Sequence, residues 1–454
     1  MEEVTIQKLV HGGQGLAELA DGRKVFVWNA LPGEVVRARI IKKKRSYAEA
    51  IAEEIVQASS DRVPPREENY LATSPWQMMT FAAENYYKAE IVRELFEHER
   101  VELAGLFMFS SLQTAGKENP RGQISPSLSL QTLGSENMDN PARLWVVHTS
   151  QEWCYRNKME YSFWGDEQGL HLALHQRGSH GKQIVEGSGL ALPALDAGAR
   201  AVLAELKKTN VRAGDLKTII VRCSQKGGVV AALYTRVDDL PKMSLPTCVK
   251  GLRVYYSEPK SPASVPTRLL YELGDVTLRD DILGKTFTYD VESFFQVNLP
   301  VYEKALERIR EVCVGDPVDM YAGVGSIGLS VAKNRVELVE LDPATAKMAR
   351  ENVAAEINLD TKVVEASTEK ALGYIVPDRP VIFDPPRAGL HAKVVERCLE
   401  VLPPQIIYLS CNPATQARDL APLQAKYHID FFEAYNFFPK TPHIETLAVL
   451  SPKS

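Results

Sequence analysis

The chain has 454 residues, 45% of them hydrophobic and 24% charged, the profile of an ordinary globular protein with roughly two to four domains. Its net charge of −5 does not announce a nucleic-acid binder, although binding depends on where charges lie rather than on their sum. No run of ~18 apolar residues offers a membrane span, and MEEVTIQKLVHGG lacks the basic and apolar regions of a signal peptide, so a cytoplasmic location is expected.

Residues 1–60 alternate short β-like runs (VTIQKLV, GLAELA, KVFVWNA, EVVRARIIKK, AEAIAEEIV) with Gly and Pro turns, and five strands in that space predict a small OB-like barrel. The run RARIIKKKRSY contains Lys42, Lys43, Lys44 and Arg45 and no acid, either a solvated face or a phosphate-binding edge. VPPREENY reads as a linker and residues 81–107 as a helix. The Ser-, Gln-, Asn- and Pro-rich residues 109–142 read as a flexible insertion in a central domain spanning 61–275. There LWVVHTS, MEYSFW, TIIVRC, GVVAALYT and VTLRDDIL predict a mixed, mostly antiparallel α+β arrangement.

From 276 to 454 the rhythm changes. The helix VYEKALERIREVC leads into PVDMY, RVELVEL, TKVVEA, PVIFD, QIIYLS, IDFFEAYNFF and ETLAVLS, with helical segments between the earlier runs. This is an α/β pattern predicting a Rossmann-like, largely parallel sheet with its site at the carboxyl ends of the strands. Short connections before the last two runs would let the final strand enter antiparallel, as in the common methyltransferase sheet.

The chemistry-bearing residues fall at those strand ends. VDMYAGVGSIGL brings Gly323, Gly325 and Gly328 after one strand, and Glu340 ends the next, a pairing that suits a nicotinamide dinucleotide or S-adenosylmethionine almost equally. FDPPR places Asp384 at a strand tip, fixed by two prolines. In YLSCNPAT, Asn412 as N-cap and Pro413 in the first turn set Cys411 just ahead of a helix amino terminus, which predicts a lowered thiol pKa. Glu445 begins the last strand, behind aromatic residues that would desolvate it and raise its pKa. The other cysteines, Cys154, Cys223, Cys248, Cys313 and Cys398, are scattered and form no CxxC pair, so no metal site is expected.

A thiol nucleophile, two carboxylates and a cofactor loop suit methyl transfer to carbon 5 of uracil, which needs prior thiolate addition at carbon 6. An amino-group methyltransferase, a non-catalytic RNA-binding protein and a nicotinamide oxidoreductase remain open at this point. The motifs SFFQVN (293–298), DMYAGVGSIGL (319–329), VEL (339–341), FDPPRAGL (383–390), LSCNPATQARDL (409–420) and FFPKTPHIETLAVL (437–450) closely resemble the RNA uracil-5 methyltransferase family of tRNA and 23S ribosomal RNA. Residues 1–60 look like its RNA-binding TRAM module.

The resemblance implies S-adenosylmethionine as methyl donor and structured RNA as partner, 23S ribosomal RNA ahead of tRNA, for a monomeric enzyme. By position it implies Gln296, Tyr321, Gly323, Gly325, Ser326, Glu340, Ser367 and Asp384 at the cofactor. Cys411 matches the nucleophile and Glu445 the base, with Phe294 and Phe295 either walling the base pocket or belonging to the core, and Lys42, Lys43, Lys44 and Arg45 holding phosphates. Three departures stand out. NYLATSPWQMM keeps Trp76 and Gln77 but lacks the cysteines that bind an iron–sulfur cluster in many members, so none is expected. Ser326 and Ser367 replace more usual cofactor-loop residues, and Asn436 replaces a common Asp.

Overall fold

The computed structural model describes residues 1–103, 147–178, 181–261 and 264–453. The insertion predicted at 109–142 lies outside them, as do the end of the helix predicted over 81–107 and the start of LWVVHTS.

Among the described residues, β1 (Glu2–Thr5), β2 (Lys8–Leu9), β3 (Gly15–Glu18), β4 (Lys24–Trp28), β5 (Val35–Lys43) and β6 (Tyr47–Gln57) form one sheet in the order β1-β5-β6-β4-β3-β2. VTIQKLV yields two strands instead of one because it changes partner midway, from β5 to β3. Val4, Val25, Val36 and Ala48 share one small core, and register shifts along β5 and β6 mark where the ladder bends around it. The basic run is less free than it reads. Strand β6 brings acids opposite it, pairing Arg37 with Glu54 (2.9 Å), Arg39 with Glu53 (2.5 Å) and Lys42 with Glu49 (3.6 Å). Lys43, Lys44 and Arg45, at the tip, have no ion pair among the described residues.

After α1 (Tyr70–Thr73), helix α2 (Phe81–His98) is capped by the Thr80 hydroxyl, which accepts from the Ala83 N–H. Its apolar face does not join the central domain. Val92 and Phe96 share a core with the carboxyl-terminal sheet, Phe96 meeting Phe432 edge-on at 4.9 Å. Strand β7 (Val147–His148) likewise extends that sheet. The boundary at 61–275 is therefore crossed twice, because burying the face of α2 outweighs sequence proximity.

The central sheet comprises β8 (Lys158–Asp166), β9 (Gly169–His175), β10 (Lys182–Ile184), β11 (Leu216–Cys223), β12 (Val229–Thr235), β13 (Gly251–Tyr256) and β14 (Arg268–Gly274), ordered β10-β9-β8-β11-β12-β13-β14. Only β12 and β13 run parallel, so the mixed, mostly antiparallel reading describes it well. Helix α3 (Pro193–Leu206), which the strand pattern did not announce, buries Leu195, Val202 and Leu206 in its core. VTLRDDIL belongs to no part of that sheet; it forms a separate hairpin of β15 (Thr277–Ile282) and β16 (Lys285–Asp290).

The remaining elements are α4 (Leu299–Val312), β17 (Val318–Asp319), α5 (Ser326–Val331), β18 (Arg335–Glu340), α6 (Pro343–Ala354), β19 (Asp360–Glu365), β20 (Val381–Phe383), α7 (Ala392–Val401), β21 (Ile406–Ser410), α8 (Pro413–Leu423), β22 (Tyr427–Tyr435) and β23 (Glu445–Pro452). Their sheet runs β19-β18-β17-β20-β21-β23-β22-β7, with β23 antiparallel to both neighbours as the short final connections require. The order reverses between β17 and β20, which opens a crevice beyond their carboxyl ends. Among the described residues no helix is long and apolar enough to cross a membrane.

Arg222 ties the central sheet to this crevice. Its buried guanidinium donates to the carbonyls of Ser293 (2.6 Å) and Phe295 (3.0 Å), on either side of Phe294. Arg222→Met should leave both acceptors unpaired, costing on the order of 1–3 kcal/mol each, read as a lower thermal unfolding midpoint.

Candidate active site

The turn between β17 and α5 begins the site. Gly325 sits at φ 88°, in the left-handed region that favours glycine, and a Cβ there would lie 2.9 Å from Leu338. The Gly323 N–H donates to Glu340 Oε2 (2.8 Å) and the Asp342 N–H to Oε1 (2.7 Å), so the carboxylate at the end of β18 is aimed by backbone. Asp319, at the end of β17, accepts from the Gly328 N–H (2.9 Å), and burial pushes its carboxyl up to about 7.

Sheet register assembles the rest. Ser410 on β21 faces Thr446 on β23, so Cys411 and Glu445 stand at adjacent strand ends one step beyond that pair. Phe383 on β20 pairs with Tyr408, which brings Asp384 to the same edge. A cavity of about 1560 Å³ is lined by Cys411, Glu445 and Asp384 together with Gln296, Tyr321, Gly323, Glu340 and Ser367, and by Phe294, which is 66% exposed. Phe295 turns into the core and stacks on Tyr289 at 4.1 Å. Gly325 and Ser326 do not line the cavity. The Ser326 hydroxyl pairs instead with the Tyr302 hydroxyl at 2.7 Å.

Electrostatics overturn one expectation. Asn412 caps α8, its side chain accepting from the Ala414 N–H, yet the Cys411 thiol is pushed up to about 12 rather than down. Burial is the main cause, followed by Glu445 and Asp384. A helix amino terminus offers only about 0.3–1 kcal/mol, less than one pKa unit, too little to offset a dry site beside two carboxylates. Glu445 is held well above the usual carboxylate range by burial and then by Asp384, in the direction its aromatic surroundings predict. Burial raises Asp384 to about 8, with Asp319 adding to it.

Arg387 opposes all this. It lines the cavity, lowers both Cys411 and Glu445, and has no ion pair among the described residues. Within FDPPR only the acid was singled out by sequence; the signal for Arg387 was a cation three residues beyond a strand-tip carboxylate.

The strand order and strand-end cavity define an α/β enzyme of the methyltransferase type. A sequence profile described as tRNA (Uracil-5-)-methyltransferase matches residues 135–453, and a TRAM domain profile matches residues 1–52. The chain belongs to that family and is an S-adenosylmethionine-dependent RNA (uracil-5-)-methyltransferase. It is 27% identical over 480 residues to an uncharacterized RNA methyltransferase of Lactiplantibacillus plantarum, covering 99% of this chain and 96% of the relative. A similar protein of Lactobacillus johnsonii is 28% identical, with 99% and 97% covered. The structure of Pyrococcus abyssi tRNA (uracil-54, C5)-methyltransferase in complex with S-adenosyl-L-homocysteine has the same fold, with TM-score 0.73, 20% identity and 99% and 100% coverage.

The cavity fits a nucleoside sulfonium donor on its own terms. The buried Ser367 Oγ, without a partner among the described residues, faces the cavity together with Glu340, and Asp384 and Glu445, whose ionisation burial disfavours, would ionise more easily beside a cation. In the free enzyme, alkylation at residue 411 should be slow at pH 8 and accelerate towards pH 12, whereas exposed Cys154 and Cys248 react readily. Glu445→Gln, by removing an anion, should move the Cys411 midpoint down, measured by peptide mass spectrometry across pH.

Proposed function

We propose that this enzyme methylates carbon 5 of a uridine in structured RNA through a transient bond between Cys411 and carbon 6. The single observation supporting this is the strand register that sets the thiol beside Glu445 in one cavity with Asp384. Cys411 Sγ adds to carbon 6, and the ring electrons shift towards carbon 5 and the carbonyl as an enolate. Arg387 favours the ionised thiol needed for this step. Bound S-adenosylmethionine supplies an electrophilic methyl group. Glu445 then takes the proton from carbon 5; that electron pair restores the double bond and the carbon–sulfur bond breaks, returning Cys411 as thiolate. A carboxyl with a raised pKa is a strong base once ionised, which suits this proton transfer.

Glu340 is assigned to the ribose hydroxyls, with Tyr321, Gly323, Ser367 and Gln296 completing the donor's surroundings and Asp384 facing its charge. Ser326 and Gly325 shape the loop instead of touching the ligand. Exposed Phe294 walls the place where a uridine taken out of its stack would sit. Lys43, Lys44 and Arg45 at the barrel tip, with Lys42 shared with Glu49, hold phosphates rather than read the base. The substrate is a loop of 23S ribosomal RNA or tRNA, the enzyme acting as a cytoplasmic monomer.

The test is mass-spectrometric mapping of 5-methyluridine in both RNA classes from cells with and without the gene, joined to Cys411→Ala. Disappearance of one site, and its failure to return with the variant, is expected. A Cys411→Ala enzyme that still methylates would favour an amino-group acceptor, which needs no thiol.

A further inference from the structure

Between the end of β22 at Tyr435 and the start of β23 at Glu445 runs the segment NFFPKTPHI. Each backbone carbonyl from Phe437 to Lys440 accepts a hydrogen bond from a residue remote in sequence. Phe437 O is held by Asn298 Nδ2 (3.1 Å), Phe438 O by Lys88 Nζ (3.1 Å), Pro439 O by the Tyr155 hydroxyl (3.0 Å) and Lys440 O by the Trp76 N–H (3.1 Å). Lys440 has φ 62°, and its N–H donates to both oxygens of Glu84 at 3.0 Å. A non-glycine residue in that conformation persists only where its surroundings fix it.

The amino-terminal barrel completes this grip. Its turn between β2 and β3 carries Gly13 at φ 95°, whose carbonyl accepts from Trp76 Nε1 at 3.1 Å. A Cβ on Gly13 would stand 2.5 Å from Pro442 Cβ and 2.8 Å from its Cγ, so the turn already lies hard against a residue three positions before Glu445. His11 of the same turn is near enough to Arg387 to feel its charge, and near enough to His443 to lower the pKa of that ring.

We infer that the barrel turn Val10–Gln14, through Trp76, is a positioning device for Glu445 and acts on the proton-abstraction step as well as on any RNA contact. The inference rests on the catalytic reading above. A displaced Glu445 would leave thiol addition and methyl transfer intact while delaying loss of the carbon-5 proton and release of Cys411. That signature separates it from a fault in RNA binding, which would lower affinity and adduct formation together.

The test uses the full chain as wild type, Gly13→Ala and Trp76→Phe, the last keeping a buried ring while removing the Nε1–H donor together with the five-membered ring that carries it. A transcript of the RNA found by the mapping experiment, with natural uridine or 5-fluorouridine at the target, is the probe. Expected are RNA affinity within about twofold of wild type and a full yield of the 5-fluorouridine adduct at Cys411. On natural uridine, kcat should fall on the order of 10²-fold for Gly13→Ala and less for Trp76→Phe, with a methylated protein–RNA adduct accumulating on denaturing gels. Unchanged kcat in a folded variant, or a fall matched by lost affinity and lost adduct, overturns the inference. If Gly13→Ala does not fold, Trp76→Phe decides alone. Absence of the 5-fluorouridine adduct in wild type would overturn the catalytic reading, and the inference with it.

Discussion

Two carboxyl groups and a thiol share one dry crevice, and the rest of the site answers to that crowding. Burial disfavours every anion there, and each anion formed disfavours the next. Cys411, Asp384 and Glu445 are all pushed up as a result. Among the described residues, only Arg387 pulls in the opposite sense on both the thiol and the base. A site so short of positive charge favours a cationic ligand, and its ionisations become easier when one enters. The same arrangement keeps the nucleophile protonated, and therefore quiet, in the empty enzyme.

Such a crevice works only if its walls do not relax, and the structure recruits the whole chain to hold them. Glu445 starts the antiparallel strand, so no preceding parallel crossover fixes its approach; the segment before it must be fixed from outside. The anchors come from α2, Trp76, Tyr155, Asn298 and the barrel turn. On the opposite wall Arg222 pins the backbone around Phe294, and Asn157 Nδ2 holds the Gln296 carbonyl at 3.0 Å. The domain order along the chain therefore says little about which residues build the catalytic wall.

Local signals carried the reading where the physics is local. The switch from period-two runs to alternating strands and helices located the parallel sheet, and the Asn412–Pro413 pair located the start of α8 to the residue. Strand tips at Glu340, Asp384 and Cys411 followed from the same pattern. What it could not supply was non-local. The acids that neutralise Arg37, Arg39 and Lys42 come from the neighbouring strand, and the run alone reads as freely cationic. Helix α2 was visible as a helix, but its buried face found the far sheet. The Cys411 shift was misjudged in sign because a helix end is legible in sequence, whereas two carboxylates converging from other strands and the depth of burial are not.

Asn436 shows how finely the buried wall is balanced. It is fully buried, accepts from Lys88 Nζ at 2.6 Å, and donates to Glu84 and Asn85 at 2.9 Å. Around it Glu84 and Glu152 face Lys88 and Lys440, two acids against two cations, so the cluster is neutral with an amide at 436. Burial already lowers Lys88 to about 8. An aspartate at 436 would hold Lys88 more firmly charged but would lose the amide donor and set a second anion against Glu84, whose oxygens also carry the Lys440 N–H. A buried pair tolerates such a change only when a compensating cation is at hand. The neutral amide lets one group satisfy an acid and a base at once, and so keeps the loop before Glu445 pinned without adding an anion near carboxyls whose ionisation burial already disfavours.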